Sequence, residues 1–139
     1  MSLGNNESDK IHLKRLSHAA IGVRDSARQA DFYTNILGLE VVEQSSQHLY
    51  FRAAGSHHHV LELITPYSGL HHTSFEVADD DELDRAVDIL LKQGIRIILG
   101  PERELEPGVG RLLRFRDPEI DNLSTACLAG IRAPLRHSV

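Results

Sequence analysis

The chain has 139 residues, of which 41% are hydrophobic and 25% are charged, and its formal net charge is -5 at pH 7. This is an ordinary balance for one globular domain, and an acidic chain lacks the basic surface that follows the phosphates of nucleic acid. The apolar runs fall far short of the roughly 20 residues that a membrane helix needs. We therefore expect no nucleic acid and no membrane among its partners.

The single cysteine, Cys127, excludes an intrachain disulfide and any site built from several thiolates. An oxidising compartment is then unnecessary, and we expect the cytoplasm. Residues 1–13 begin without the apolar stretch of a secretory signal and are interpreted as a flexible leader. Residues 14–128 are expected to form one domain, and residues 129–139 a C-terminal tail.

The first half of the domain is predicted to contain a strand, a helix and three further strands. A buried apolar segment comes first, Asp25 or Ser26 caps the helix, and Gly38 ends it. The predicted bounds are Leu16 to Val23, Ser26 to Leu37 (the helix), Leu39 to Gln44, His48 to Ala53 and His58 to Ile64.

The second half repeats this order at an offset of 54 residues, which pairs His18 with His72 and Asp25 with Asp79. The predicted bounds are Leu70 to Val77, Asp80 to Gln93 (the helix), Ile95 to Leu99, Gly110 to Phe115 and Asn122 to Leu128. This indicates an internal duplication of a βαβββ unit and an α+β fold.

Histidine is the one unusual feature of the composition. Nine are present, and seven of them lie between His18 and His72 inclusive. His18 and His72 hold the same place in the first strand of each half, and strand alternation puts His71 on the opposite face from His72. We therefore expect His18 and His72 to face a common pocket, although a buried core histidine is the alternative for each.

Four segments resemble the vicinal-oxygen-chelate superfamily of glyoxalases, bleomycin-resistance proteins and extradiol dioxygenases. They are LSHAAIGVRD, DFYTNILGLEVVE, GLHHTSFEV and GRLLRFRDPEIDN. The resemblance covers roughly residues 14 to 128 and implies two βαβββ repeats that form a curved mixed sheet around a pocket. It is weaker evidence for activity, because one scaffold hosts unrelated chemistries.

Within the superfamily, the stretch from the HHH segment to GLHH is most similar to extradiol dioxygenases. That resemblance implies Fe(II) or Mn(II) held by two histidines and a glutamate, with open positions for a catechol and O₂. His18 and His72 match the two histidines. The acid/base histidine of the family matches His58, or His59 with a gap placed differently, and the alternative is a loop at the edge of a strand.

The third ligand departs from the family pattern, because Thr125 stands where the glutamate is expected. A candidate substitute is Glu62, at about the place in the first half that Thr125 holds in the second. Glyoxalase I enzymes use a glutamate from this strand, with Ni(II) or Zn(II) as the alternative ions. Glu62 could instead face outward between Leu61 and Leu63. Thr125→Glu is expected to tighten ion binding.

Three functions follow from the resemblance. The first is a metal-dependent ring-cleavage dioxygenase acting on a small aromatic diol, the second a glyoxalase-like isomerase or lyase using Glu62, and the third a non-catalytic ligand-binding module without the metal carboxylate. Single modules of this superfamily commonly pair, so a homodimer is expected.

Three arginines near the last strands predict a solvated basic strand face, with an anionic substrate as the alternative partner. They are Arg111, Arg114 and Arg116.

Overall fold

The computed structural model describes residues 10–55, 58–102, 107, 109–116 and 125–130. Its elements are β1 (Leu13–Gly22), α1 (Ser26–Asn35), β2 (Glu40–Gln44), β3 (His48–Arg52), β4 (Leu61–Ile64), β5 (Gly69–Val77), α2 (Asp80–Lys92), β6 (Ile97–Glu102), β7 (Leu112–Arg116) and β8 (Thr125–Ala129). Neither helix in these ranges has the length and apolar character that a membrane crossing requires.

The strands form one mixed sheet in the order β2-β3-β4-β1-β5-β8-β7-β6. β1 and β5 pair antiparallel at its centre, β4 joins β1 in parallel, and β8 joins β5 in parallel. Each half thus has the same layout, and residues 65–68 connect the halves along the chain. The predicted α+β fold of two βαβββ units in an open, curved mixed sheet is confirmed.

The central strand pair contains a pseudo-twofold axis. Ala19 lies opposite Thr73, and these residues are separated by the same offset of 54 that relates His18 to His72. A residue that pairs with its own repeat equivalent lies on the symmetry axis. His18 and His72 therefore lie one residue away from this axis, on neighbouring strands.

Both helices lie on one face of the sheet, and we call the other face the inner face. α2 buries Leu83, Ala86 and Leu90 against Val77, Leu113 and Leu128. By contrast, α1 has no buried residue, and its aromatic contact with the sheet is Tyr33 against Phe51, with ring centroids 5.8 Å apart. Asp25 and Asp79 cap the two helices by accepting hydrogen bonds from Arg28 N and Glu82 N.

The bounds of the predicted strands shift by one to three residues in the structure, most clearly for β6 and β4. β6 begins at Ile97 because the Ile95 N–H still donates to Leu90 O at the end of α2. It continues to Glu102 through a register shift that accommodates Gly100. β4 begins at Leu61, so His58 and His59 precede the strand. β1 begins earlier than predicted, at Leu13, and β8 ends one residue later, at Ala129. Residues 122–124, predicted to begin the last strand, lie outside the described residues, as do residues 1–9 and 131–139.

Two rows of neighbouring residues cross the inner face. The Glu62 row consists of Tyr50, Glu62, Ala20, His72, Thr125 and Arg116. The His18 row consists of His18, Ser74, Cys127 and Arg114. Since alternate residues of a strand share a face, these rows bring side chains from six strands to one surface.

Candidate metal centre

His18 and His72 meet at the centre of the inner face. Their Nε2 atoms are 3.2 Å apart, and the residues are only 2% and 1% exposed. Two nitrogens that each lie about 2.1 Å from a shared ion, at tetrahedral or octahedral angles, are roughly 3.0 to 3.4 Å apart. The observed separation is therefore suitable for a shared ion.

Glu62 brings a carboxylate to the same place from β4. It lies beside Ala20 in its row, and the short alanine side chain leaves room for the carboxylate to reach towards β5. Oε1 of Glu62 lies 3.9 Å from Nε2 of His72, and Oε2 accepts a hydrogen bond of 2.5 Å from Nδ1 of His48. Glu62 is only 2% exposed, so it does not face outward.

These three residues form a compact group of potential metal ligands within the described ranges. One donor atom each from His18, Glu62 and His72 lies within 4.8 Å of the others. Two imidazoles and one carboxylate match the facial triad that suits Fe(II), and imidazole and carboxylate donors also bind Mn(II), Ni(II) and Zn(II). A cation would also compensate the buried carboxylate. The donor set thus fits a divalent ion.

Polar neighbours orient the two imidazoles so that Nε2 faces the centre. Ser17 Oγ lies 3.3 Å from Nδ1 of His18, and Nδ1 of His71 lies 2.8 Å from Nδ1 of His72. For Nε2 of His72 to bind an ion, the proton of the neutral imidazole must be on Nδ1. This N–H then donates a hydrogen bond to Nδ1 of His71. Such partners fix the tautomer and the ring orientation of metal ligands.

His58 and His59, the two predicted acid/base histidines, have different surroundings. His59 is fully buried, and its ring centroid lies 4.3 Å from that of His18. His58 lies further out, with Nδ1 3.0 Å from Nδ1 of His59 and Nε2 3.4 Å from Oε1 of the half-exposed Glu43. His59 therefore adjoins the metal centre, and His58 connects it to the surface.

Thr125 lies beside His72 in the parallel pair of β5 and β8. Its Oγ1 is buried and has no hydrogen-bond partner among the described residues. The position next to His72 therefore carries a neutral hydroxyl, and the carboxylate of the group comes from the other half of the domain.

The strand register corrects the repeat equivalence expected for Glu62. Ala20 lies opposite Glu62, and its repeat equivalent, Ser74, lies opposite Cys127. Cys127, and not Thr125, therefore holds the position of Glu62 in the second half. Sequence spacing misplaced this equivalence because the connection between β6 and β7 is longer than that between β2 and β3.

Three inner-face residues were missed or misjudged from the sequence. His48 and Tyr50 lie close to Glu62 through the β3–β4 pairing. Arg114, expected on a solvated face, instead lies close to His72, with Nη2 3.5 Å from its Nδ1. Alternation along β3 and β7 places these residues on one of two faces, but only the cross-strand register shows what they contact.

A pair of residues with shifted ionisation, Arg111 and Asp84, lies away from this centre. Nη2 of Arg111 donates a hydrogen bond of 2.7 Å to Asp84 on α2. This hydrogen bond lowers the pKa of the Asp84 carboxyl and raises that of the arginine. Arg111 therefore faces the helix side of the sheet and has no contact with the metal centre.

A family model described as the glyoxalase/bleomycin resistance protein/dioxygenase superfamily matches residues 15–119. The chain belongs to this superfamily. The family predicted from the sequence is therefore confirmed. Its members share one fold but catalyse unrelated reactions.

Among curated proteins of this superfamily, metapyrocatechase 2 from Cupriavidus necator is 34% identical over 84 residues, which cover 58% of this chain and 26% of that protein. A variant of homoprotocatechuate 2,3-dioxygenase from Brevibacterium fuscum superposes with a TM-score of 0.83 at 23% identity, over 97% of this chain and 37% of that chain. Its anaerobic complex with 3,4-dihydroxyphenylacetate gives the same TM-score and identity, over 42% of that chain. The structural likeness establishes the fold, and the chain spans well under half the length of these relatives.

Proposed function

We propose that this domain binds a divalent metal ion through His18, Glu62 and His72 and acts as an extradiol-type dioxygenase on a small aromatic diol. The observation that carries the proposal is the convergence of two imidazoles and one carboxylate within 4.8 Å on the buried inner face. Fe(II) or Mn(II) is the proposed ion, and Ni(II) or Zn(II) is the alternative.

The relatives support this choice of chemistry. Metapyrocatechase 2 and homoprotocatechuate 2,3-dioxygenase are by name oxygenases of aromatic diols, and the latter has been captured with 3,4-dihydroxyphenylacetate. In the proposed reaction a carbon–carbon bond of the ring beside the diol breaks, and both atoms of O₂ enter the ring-opened product. The cytoplasmic location remains a prediction.

The bound ion would supply Lewis acidity to two vicinal oxygens of the substrate. His59 is the candidate acid/base group, because its ring lies 4.3 Å from that of His18. One of the Nδ1 atoms of His58 and His59 carries the proton that joins them, so a proton taken up at His59 can pass to His58 and on towards Glu43. The burial of His18 and His59 would keep water from the reacting atoms.

A second candidate function is a glyoxalase-like isomerase or lyase. It is favoured by one specific observation, namely that the carboxylate near the two histidines comes from β4. Glu62 would then be a base as well as a ligand, in contact with a substrate that forms an enediolate.

Metal loading and turnover test the proposal together. The protein would be stripped of metal and loaded anaerobically with Fe(II), Mn(II), Ni(II) or Zn(II). Bound metal would then be measured by mass spectrometry. O₂ uptake would be followed with 3,4-dihydroxyphenylacetate and catechol, and isomerisation with the glutathione hemithioacetal of methylglyoxal.

We expect about one ion per chain and O₂ uptake with a diol, both lost in Glu62→Gln. Glu40→Gln is the matched control, since Glu40 is exposed and paired with Arg52. Hemithioacetal turnover without O₂ uptake would favour the second candidate. A chain that binds no ion would be a non-catalytic module, which would refute the proposal.

A further inference from the structure

The second half of the inner face carries a polar cluster beside the metal centre that the proposed reaction does not use. Its members are Arg114, Ser74 and Thr125. Nε of Arg114 donates to Sγ of the buried Cys127 at 3.2 Å, and Nη2 reaches to within 3.5 Å of His72 Nδ1. The guanidinium therefore extends from β7 back across β8 towards the metal ligand on β5.

Two buried hydroxyls lie on the same face, in the two rows that contain the histidines. Ser74 is fully buried between His18 and Cys127 in its row, and Thr125 lies between His72 and Arg116 in the other. Among the residues that the structure describes, neither Ser74 Oγ nor Thr125 Oγ1 has a hydrogen-bond partner. Buried hydroxyls seldom lack one, so both are available to a ligand.

The first half has no such cluster at the equivalent positions. Ala20 corresponds to Ser74, and Tyr50, opposite Glu62, corresponds to Arg114, opposite Cys127. The first half thus presents a methyl group, a phenol and the carboxylate, whereas the second presents a hydroxyl, a cation and a thiol. A ligand that spans the centre therefore meets negative charge on one side and positive charge on the other.

The geometry points to an anion-binding subsite, formed by Arg114, Ser74 and Thr125, that receives a carboxylate on the substrate. The planar guanidinium matches a carboxylate, and two hydroxyls can donate to its oxygens. This inference rests on the proposed function, in which the metal ion binds the other end of the substrate through two vicinal oxygens. The substrate would then be a small carboxylic acid that also carries two vicinal oxygens.

A pair of diols that differ in one carboxylate tests the subsite. Anaerobic calorimetry on the metal-loaded protein would compare 3,4-dihydroxyphenylacetate with 4-methylcatechol, and phenylacetate would be titrated into the metal-free protein. The variants are Arg114→Gln, Arg114→Lys and the control Arg111→Gln, whose guanidinium pairs with Asp84 on the helix side. Bound metal and thermal unfolding would be recorded for each.

We expect the wild type to bind the carboxylated diol at least about tenfold more tightly than 4-methylcatechol. Arg114→Gln should remove most of this preference, Arg114→Lys should retain part of it, and Arg111→Gln should retain all of it. If Arg114→Gln still binds metal and keeps the preference, or if the wild type shows none, the subsite is refuted and the metal proposal stands.

The two proposals can also fail in the opposite way. If no ion binds but phenylacetate binding is lost in Arg114→Gln and kept in Arg111→Gln, the proposed function fails and the subsite stands. Equal phenylacetate binding by these two variants would refute the subsite. If Arg114→Gln does not fold, Arg114→Lys decides: unchanged discrimination between the diols and unchanged phenylacetate binding would count against a role for the guanidinium fork.

Discussion

Cys127 and Glu62 occupy equivalent positions in the two halves of the domain, since each lies opposite the small inner-face residue next to the pseudo-axis. The first half places a carboxylate there, and the second places a buried thiol that accepts a hydrogen bond from Arg114. A symmetric arrangement of strands therefore carries an asymmetric set of donors around His18 and His72.

This equivalence predicts that the carboxylate can be moved between halves. Cys127→Glu in a Glu62→Gln background should restore divalent-ion affinity to within about tenfold of wild type, since the new acid would relate to His18 as Glu62 does to His72 and would pair with Arg114. Thr125→Glu, which the family pattern predicts will tighten binding, is the comparison. Chelator competition measures both; greater restoration by Thr125→Glu would contradict the register argument.

Loss of a metal ligand should be distinguishable from loss of its orienting partner. His72→Ala should lower ion affinity by more than about 100-fold, whereas His71→Ala should cost about 10- to 100-fold, the range typical when a partner of a metal ligand is removed. Competition with a chelator of known affinity gives both values. Equal effects would mean that His72 does not contact the ion.

The α2 core should determine stability without affecting the metal centre. Leu83 lies on the side of α2 that packs against the sheet, and it is fully buried. Leu83→Ala should therefore lower the free energy of unfolding by about 2 to 5 kcal/mol. Leu91→Ala on the same helix, at a position that is 58% exposed, should change it by less than about 0.5 kcal/mol. Urea titration measures both, and an altered ion affinity in Leu83→Ala would show that the two faces are coupled.

The Arg111–Asp84 pair predicts a small dependence of stability on pH. Hydrogen bonding to Arg111 lowers the pKa of Asp84 below its ordinary value of 3.8, so the folded state binds this proton less readily than the unfolded chain. The resulting stabilisation is present above about pH 4 and disappears as the pH falls through the folded-state pKa. Asp84→Asn should be slightly less stable than wild type at pH 6 and equally stable near pH 2, as measured by urea titration. A gap that widened on acidification would contradict this sign.

The predicted homodimer can be tested together with the role of the C-terminal tail. We expect light scattering at tens of micromolar to give twice the mass of the 15.5 kDa chain. A variant ending at Gly130 is preferable to one ending at Leu128, because Ala129 pairs with Leu112 and the Gly130 N–H donates to Arg111 O. A monodisperse full-length monomer would refute the dimer, and an unchanged dimer without the tail would limit the interface to residues 1–130.

The fold and the central histidines were predictable from the sequence because both follow from the repeat. An offset of 54 residues gives the order of elements, and it places His18 and His72 symmetrically without any knowledge of loop geometry. The structure then brings their Nε2 atoms to 3.2 Å. The ligand roles themselves remain predictions.

The surroundings of the histidines were less predictable because they depend on cross-strand register. Glu62 could have faced either side of β4, and the longer β6–β7 connection concealed that Cys127 is its equivalent. Arg114 is one of three neighbouring arginines in the sequence. Alternation puts it on the opposite face from Arg111, but only the pairing of β7 with β8 shows that this face is the inner one. Long-range contacts of this kind leave no periodic signal along the chain.

The connection between the halves is only residues 65–68, whereas the contact that holds them together is the antiparallel pairing of β1 with β5. Cleaving the backbone within this connection would therefore interrupt none of the strand pairings. The two half-domains therefore pair through β1 and β5 as two subunits would, although one chain forms both. The two halves are thus suited to be expressed as separate polypeptides, or exchanged between two copies, with the centre around His18 and His72 reassembled at the junction.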